Sequence, residues 1–339
     1  MSYLVVFIIA MGGSLLLTPV AQQLGHRWGM VAVPGGRRQH KGLIPTSGGM
    51  AIGGAWLLAV VVIYWLMPPV GDDARRLQGV VLGTIFVFLA GLADDRWELS
   101  PWANLGVQLI AAMMAMAHIV FIELFTNPLT GELVWIRPQW FAYGFSLFWM
   151  VGMMNAVNFL DGLDGLAAGV GTVAALLFAW HSYQLGQTTV ALFPLALAGA
   201  LLGFLPYNFA PARIFLGAGA YVLGYLLATL SILSPAKIAT ALLVLAIPIL
   251  DVAWIVVARM RQGQSPWQGD RRHLHFRLAD KGVPTRWIAL GYYGLAVGLG
   301  LVGVSAVRPW GKLLVLVLLA GALATVLWRL SYEGEKDES

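Results

Sequence analysis

Cysteine is absent from all 339 residues, which excludes a disulfide framework, a thiolate nucleophile and any Cys-based metal site. Charge is scarce: only 11% of the residues are Asp, Glu, Lys or Arg, against 59% hydrophobic ones. A soluble domain of this length has no use for so much apolar surface. No internal repeat or low-complexity stretch stands out, and no polar segment is long enough to fold as a separate soluble domain. The opening apolar run has no basic stretch ahead of it and no small-residue cleavage site behind it. It therefore reads as a retained helix, not a cleaved signal peptide.

What is present is a string of long apolar runs. A bilayer core takes roughly 20 apolar residues as a helix, and eleven runs approach that length: 3–24, 47–67, 77–93, 102–122, 141–157, 165–185, 188–206, 217–233, 237–258, 287–305 and 311–330. The expected fold is an all-α polytopic membrane protein of about 11 transmembrane helices, with 1–332 as one domain and 333–339 as a polar cytoplasmic tail. The breaks between runs fall alternately into two sets. One of them holds 15 of the 21 Lys and Arg residues. By the positive-inside rule that set is cytoplasmic, which puts the N-terminus outside and the C-terminus inside. The formal charge of +5 then reports orientation and not a nucleic-acid partner. On the opposite side only 123–140 is long, and Pro128, Thr130-Gly131 and Pro138 predict a turn or small hairpin there.

The polar chemistry gathers in the cytoplasmic set. Asp94-Asp95 close an apolar run, with Glu98 three residues on. Adjacent carboxylates at a membrane boundary need water, a cation or a shared proton, so the pair reads either as a hydrated helix end or as a base beside a metal-binding partner. The stretch Asn155-Ala-Val-Asn158-Phe-Leu-Asp161-Gly-Leu-Asp164-Gly165 carries four oxygen-bearing side chains at three-residue spacing. A helix would place them on one narrow arc, suited to a hard cation that also holds substrate phosphate. In Gly203–Arg213, the side chains of Tyr207, Asn208 and Arg213 lie among prolines, which suits either a rigid turn or a phosphate grip. The longest loop holds Arg259, Arg261, Asp270, Arg271, Arg272, His273, His275, Arg277 and Lys281. Two histidines among so many cations suit a pyrophosphate better than zinc, although a loop touching anionic lipid would look similar. Arg37, Arg38, His40 and Lys41 in the first loop could serve orientation alone.

These segments, in this order, resemble the polyprenyl-phosphate N-acetylhexosamine-1-phosphate transferases, the superfamily that includes the phospho-MurNAc-pentapeptide translocases. The most specific stretches are Asn155–Leu166, Gly203–Ala212 and the run from Pro248-Ile-Leu-Asp251 to Gln268-Gly-Asp270-Arg-Arg-His273-Leu-His275-Phe-Arg277-Leu. The last of these favours the N-acetylglucosamine branch over the pentapeptide branch. The resemblance implies transfer of a sugar 1-phosphate, GlcNAc-1-phosphate or a related cargo, from a UDP-sugar to undecaprenyl or another polyprenyl phosphate. UMP is released, as the first membrane step of a cell-envelope polysaccharide. It places the protein in the bacterial cytoplasmic (inner) membrane, with the active site facing the cytoplasm, and makes a homodimer an expected partner.

Residue by residue, the resemblance gives Asp94 the lipid phosphate to deprotonate or orient, with Asp95 in support. Asp161 and Asp164 take the metal and nucleotide side. Magnesium, with manganese as an alternative ion, is held by Asp95, Asn158 and Asp161. His273, His275 and Arg277 take the pyrophosphate or sugar. Asn155, Asn208, Arg213, Arg271, Arg272, Arg38, His40 and Lys41 complete the substrate surface. Direct attack and an aspartyl intermediate remain equally open.

Three departures from the family pattern stand out. The family's Gly-Asp-x-Gly-Ser becomes Phe215-Leu216-Gly217-Ala218-Gly219-Ala220, best aligned with the aspartate deleted and the serine replaced by Ala220. Phe276 stands where a third histidine is common, and Ala32 where an aspartate often precedes the proline. No Asp or Glu lies between Asp164 and Asp251 to replace the lost carboxylate locally. The alternative expectation is therefore a weak or inactive homologue that still binds lipid phosphate or nucleotide. A secondary transporter fits less well, since its site belongs near mid-bilayer.

Overall fold

The computed structural model describes residues 1–33, 42–233, 235–263, 272–305 and 307–337, with the backbone alone for 235–237 and 330–337. Among the described residues there are thirteen helices: α1 (Ser2–Trp28), α2 (Gly48–Leu66), α3 (Gly71–Trp97), α4 (Pro101–Ala117), α5 (Gln139–Leu160), α6 (Leu166–Gln184), α7 (Thr188–Asn208), α8 (Gly219–Ile232), α9 (Pro235–Val244), α10 (Ala246–Arg261), α11 (Leu274–Asp280), α12 (Thr285–Val304) and α13 (Pro309–Asp337). Helices suit such a sequence because lipid offers no partner to a backbone N–H, so each segment must satisfy its own. Their ends carry local signals. Gly29 closes α1 in a left-handed conformation. Ser100 caps α4 by accepting the Ala103 N–H at 3.2 Å, with Pro101 in the first turn.

Eight helices (α1, α2, α3, α5, α6, α7, α12 and α13) are long and apolar enough to cross a membrane, so this is a polytopic helical membrane protein. Every expected apolar run falls on helix, but three do not form full-length straight spans. The runs 102–122 and 217–233 give the shorter α4 and α8, and 237–258 is bent by 75° between α9 and α10. Pro248 accounts for the bend: it has no N–H to offer the Val244 carbonyl, and its ring presses on that same carbonyl. The ladder accordingly breaks at Leu245 and resumes with the Ile249 N–H on the Leu245 carbonyl, at 3.0 Å.

The bundle is built around α6 and α7, in which 72% of the apolar stretch is enclosed, against 11% for α13. α7 packs on α1, α2 and α6, α5 packs on α8, and α3 packs on α4 and α8. Several polar side chains inside the bundle are satisfied by hydrogen bonds between helices. Trp149 Nε1 of α5 donates to Ser231 Oγ of α8 at 3.1 Å, and Tyr225 Oη of α8 donates to the Gly79 carbonyl of α3 at 3.2 Å. α3 and α8 thus run side by side in opposite directions.

Two small strand pairs mark the two ends of the bundle. β3 (Leu124–Thr126) and β4 (Leu133–Trp135) form the antiparallel hairpin expected within 123–140. The pair β1 (Val31–Ala32) and β2 (Ile44–Pro45), which the sequence did not signal, lies at the other end. It anchors the loop between α7 and α8: the Phe215 N–H donates to the Pro45 carbonyl at 2.8 Å. In return, the Phe215 and Leu216 carbonyls accept the Gly48 and Gly49 N–H groups at 3.0 and 3.1 Å, partners that the first turn of α2 would otherwise lack. The expected polar tail continues α13 helically as far as Asp337.

Candidate active site

Four separate pieces of chain meet at the β1/β2 end of the bundle. Asp94 and Asp95 lie in the last turn of α3. Asp94 Oδ1 accepts the Leu99 N–H at 2.8 Å and Asn104 Nδ2 at 3.1 Å. Its other oxygen takes no hydrogen bond among the described residues. Asp95 Oδ1 accepts the Ala218 N–H at 2.9 Å, so the carboxylate sits at the N-terminus of α8, where a negative charge is favoured. Gly217 makes that approach possible. It is left-handed at φ 62°, and a Cβ there would strike the Thr46 carbonyl and come within 2.6 Å of Asp95 Oδ1.

The polar run after Asn155 is not one helix. Asn155 and Asn158 lie on α5, Asp161 caps its end, and Asp164 sits in the turn before α6, which Gly165 opens at φ 74°. The arc expected of a continuous helix is therefore replaced by a helix end and a folded turn. The glycines are the reason: Gly165 adopts a left-handed conformation costly to other residues. A Cβ on Gly162 would lie 2.5 Å from His275 Nε2 and 2.6 Å from the Phe276 ring. The turn is fastened twice, by Asp164 Oδ2 accepting the Ala212 N–H at 2.9 Å and by Tyr293 Oη donating to the Gly165 carbonyl at 2.6 Å.

Asp161 and Asn158 are half-buried, and no hydrogen bond reaches either side chain among the described residues. Burial, then the neighbouring charges of Asp164 and Asp95, hold the Asp161 carboxyl well above the usual carboxylate range. A cation beside it would relieve both effects. Among the described residues no three Asp, Glu, His or Cys side chains form a ready-made metal cluster. Magnesium does not need one, since it often takes one or two carboxylates and completes its shell with water and substrate phosphate. Asp161, Asp95 and the Asn158 amide fit that requirement.

Behind this edge lies a buried histidine pair. His273 Nδ1 bonds Asp251 Oδ2 at 2.8 Å, and Asp251 Oδ1 accepts the Leu274 N–H at 3.0 Å. The His273 and His275 rings stack 5.5 Å apart. His275 is 1% exposed, its Nε2 has no hydrogen-bond partner among the described residues, and burial followed by His273 pushes its pKa down to about 3. The ring is therefore neutral at physiological pH.

Several expected substrate contacts are placed differently. Asn155 Nδ2 donates to Gln108 Oε1 at 2.7 Å and to the Val151 carbonyl, tying α5 to α4. Asn208 is 2% exposed and donates to the Ile214 carbonyl at 3.0 Å, clamping the loop from beneath. Arg277 Nε donates to the Arg272 carbonyl at 2.7 Å, and Arg272 donates to Gln262 Oε1 at 3.1 Å. Arg213 is exposed on the α7–α8 loop. Arg38, His40, Lys41 and Arg271 lie outside the described residues. The supporting residues that sequence reasoning missed are Asn104, Gln108 and Tyr293. Asp251 was visible in its motif but carried no assigned role.

Residues 77–235 match the family described as glycosyl transferase family 4. The chain is 28% identical, over 93% of its own length and 88% of the relative's, to the probable undecaprenyl-phosphate N-acetylglucosaminyl 1-phosphate transferase of Bacillus subtilis (strain 168). It is 33% identical to the decaprenyl-phosphate N-acetylglucosaminephosphotransferase of Mycobacterium tuberculosis (strain H37Rv), covering 85% of this chain and 78% of that protein. It is 32% identical to the phospho-N-acetylmuramoyl-pentapeptide-transferase of Staphylococcus aureus (strain MSSA476), covering 75% and 84%.

Proposed function

Because the chain belongs to glycosyl transferase family 4 and is a phosphoglycosyltransferase, we propose that it moves N-acetylglucosamine 1-phosphate from UDP-GlcNAc to undecaprenyl or another polyprenyl phosphate. An oxygen of the lipid phosphate bonds to the sugar-bearing phosphorus, the bond to the UMP oxygen breaks, and UMP leaves with that electron pair. The product is a lipid-linked sugar diphosphate that starts a cell-envelope polysaccharide. The observation that carries this reading is the half-buried, donor-free Asp161, next to Asp164 of the same turn and brought beside Asp95 from a distant part of the chain.

In this reading Asp94, fixed through one oxygen by Leu99 and Asn104, uses the other to take a proton from the lipid phosphate or to orient it. Asp95, Asn158 and Asp161 hold magnesium, which when bound neutralises pyrophosphate charge and makes UMP a better leaving group. Asp95 stands in for the family aspartate missing after Gly217, since its carboxylate already lies against the Gly217-Ala218 peptide. The neutral His275 and the Asp251-held His273 back the sugar-phosphate side. The site faces the cytoplasm of a bacterial inner membrane and the hairpin faces outward, in keeping with the Lys and Arg distribution.

The test is purified protein with UDP-GlcNAc, undecaprenyl phosphate and magnesium, scored for UMP release. Release is expected, and Asp94→Asn abolishes it. No release with magnesium or manganese across several UDP-sugars, with nucleotide binding retained, overturns the reading. That outcome favours a binding homologue of weak or no turnover, for which the absence of any carboxylate at 217–220 speaks.

A further inference from the structure

At the opposite end of the bundle, the start of α3, the segment after α4, the β3/β4 hairpin and the adjoining ends of α8 and α9 border a half-open cavity of about 240 Å³. Along α3 the 18 residues from Arg76 to Asp94, at about 1.5 Å each, separate it from the carboxylate end by about 27 Å. Its lining mixes aliphatic side chains, Val120, Ile232 and Ile238 among them, with polar groups, and both Arg76 and Glu123 contribute to it. Arg76 Nε is buried and has no hydrogen-bond partner among the described residues. Nor, among those residues, does an ion pair join Arg76 to Glu123. A buried donor of a charged group left without an acceptor is costly, and the half-buried Glu123 carboxylate in the same cavity does not relieve it.

A lone anion would satisfy Arg76 but meet repulsion from Glu123, and a lone cation would face the reverse. A ligand carrying both charges resolves the two together. We propose that this cavity binds a zwitterion of phosphate and primary ammonium, the chemistry of a phosphoethanolamine group. The phosphate oxygens accept from Arg76, the ammonium donates to Glu123, and adjoining hydrocarbon lies against the aliphatic walls. The chamber is too small for a whole phospholipid, so a lipid source would lodge only its headgroup and nearest carbons. A soluble phosphoethanolamine compound offers the same group. The site is independent of the sugar-phosphate reading and stands or falls separately from it.

Native mass spectrometry of the full chain, released from a mixture of equal phosphatidylethanolamine and phosphatidylglycerol, tests the proposal. Wild type retains phosphatidylethanolamine in preference by about tenfold. Glu123→Gln reduces that preference about tenfold, while Arg76→Gln, which loses a phosphate contact common to both lipids, reduces retention of both about tenfold, each the effect of losing one charge-assisted contact of about 1.4 kcal/mol. Ile238→Trp fills the chamber, leaves both charges in place and removes retention, while an unchanged melting temperature shows that it folds. Displacement of the lipid by millimolar free phosphoethanolamine points to a soluble source. Failure of displacement with lipid retention intact points to the membrane. Equal retention of the two lipids by wild type, retention unchanged in all three variants, or no binding of either source overturns the proposal.

Discussion

At the scale of single residues, the buried histidine pair makes the sharpest claims. His275 stays neutral in the folded protein down to about pH 3, whereas in the unfolded chain it takes a proton near pH 6.5. Between those values the unfolded state binds the extra proton, so this residue's contribution to stability is lost as the pH falls. Asp161 acts in the opposite sense, because its raised pKa stores a proton in the folded state. The informative measurement is therefore a difference: the melting temperature of wild type should fall relative to that of His275→Asn on acidification from pH 7 to pH 5. Parallel curves would remove the buried neutral imidazole from the account. Asp251→Ala strips acceptors from both His273 and the Leu274 N–H, and should cost about 1.5–3 kcal/mol in denaturant or thermal unfolding. It should also lower UMP release at least tenfold, while Asp251→Asn, which keeps an acceptor, loses less. Asp251 was readable as part of a motif. Its partnership was not, because 22 residues separate it from His273 and only the fold brings them to 2.8 Å.

At the scale of elements, hydrophobic runs reported helices faithfully but reported their continuity poorly. The run 237–258 looks like one span because the stretch 241–250 around Pro248 is apolar throughout and Asp251 alone does not interrupt the run, and hydropathy takes no account of a missing N–H. The Asn155–Asp164 stretch has helical spacing to its last member, yet it ends as a helix at Leu160 because Gly162 must let His275 and Phe276 in. That constraint comes from α11, more than a hundred residues away, and no local pattern encodes it. The strand pair β1/β2 is only two residues on each side, too short for any alternation to show. The same logic makes Gly217 a critical joint. Gly217→Ala forces a side chain into a left-handed position against the Thr46 carbonyl and Asp95, a strain of order 1–3 kcal/mol. A lowered melting temperature with sharply reduced turnover is expected. A variant as stable and active as wild type would show that Asp95 does not depend on this close approach.

At the scale of the whole molecule, the sequence's first absence becomes the means of testing its largest claim. Which end of the bundle faces the cytoplasm rests on where Lys and Arg accumulate, a statistical rule of insertion and not a contact in the fold. The structure adds that the carboxylate edge and the β3/β4 hairpin occupy opposite ends, joined by α3 and α8 running side by side, so locating either end locates the other. With no native cysteine to react, a single introduced thiol reports one position without background. Thr130→Cys at the hairpin turn and Lys281→Cys after α11 are both surface sites, clear of the carboxylates. In intact cells stripped of their outer barrier, a membrane-impermeant maleimide should label the Thr130 variant and spare the Lys281 variant until the membrane is opened. A cytoplasmic carboxylate edge is what a nucleotide-sugar donor requires, since such a charged molecule does not cross the bilayer, while the lipid acceptor reaches the same edge from within the membrane. The reverse labelling pattern would turn the bundle over and leave the carboxylates without access to that donor. The transfer reading would then fail at this scale even if every residue-scale prediction held.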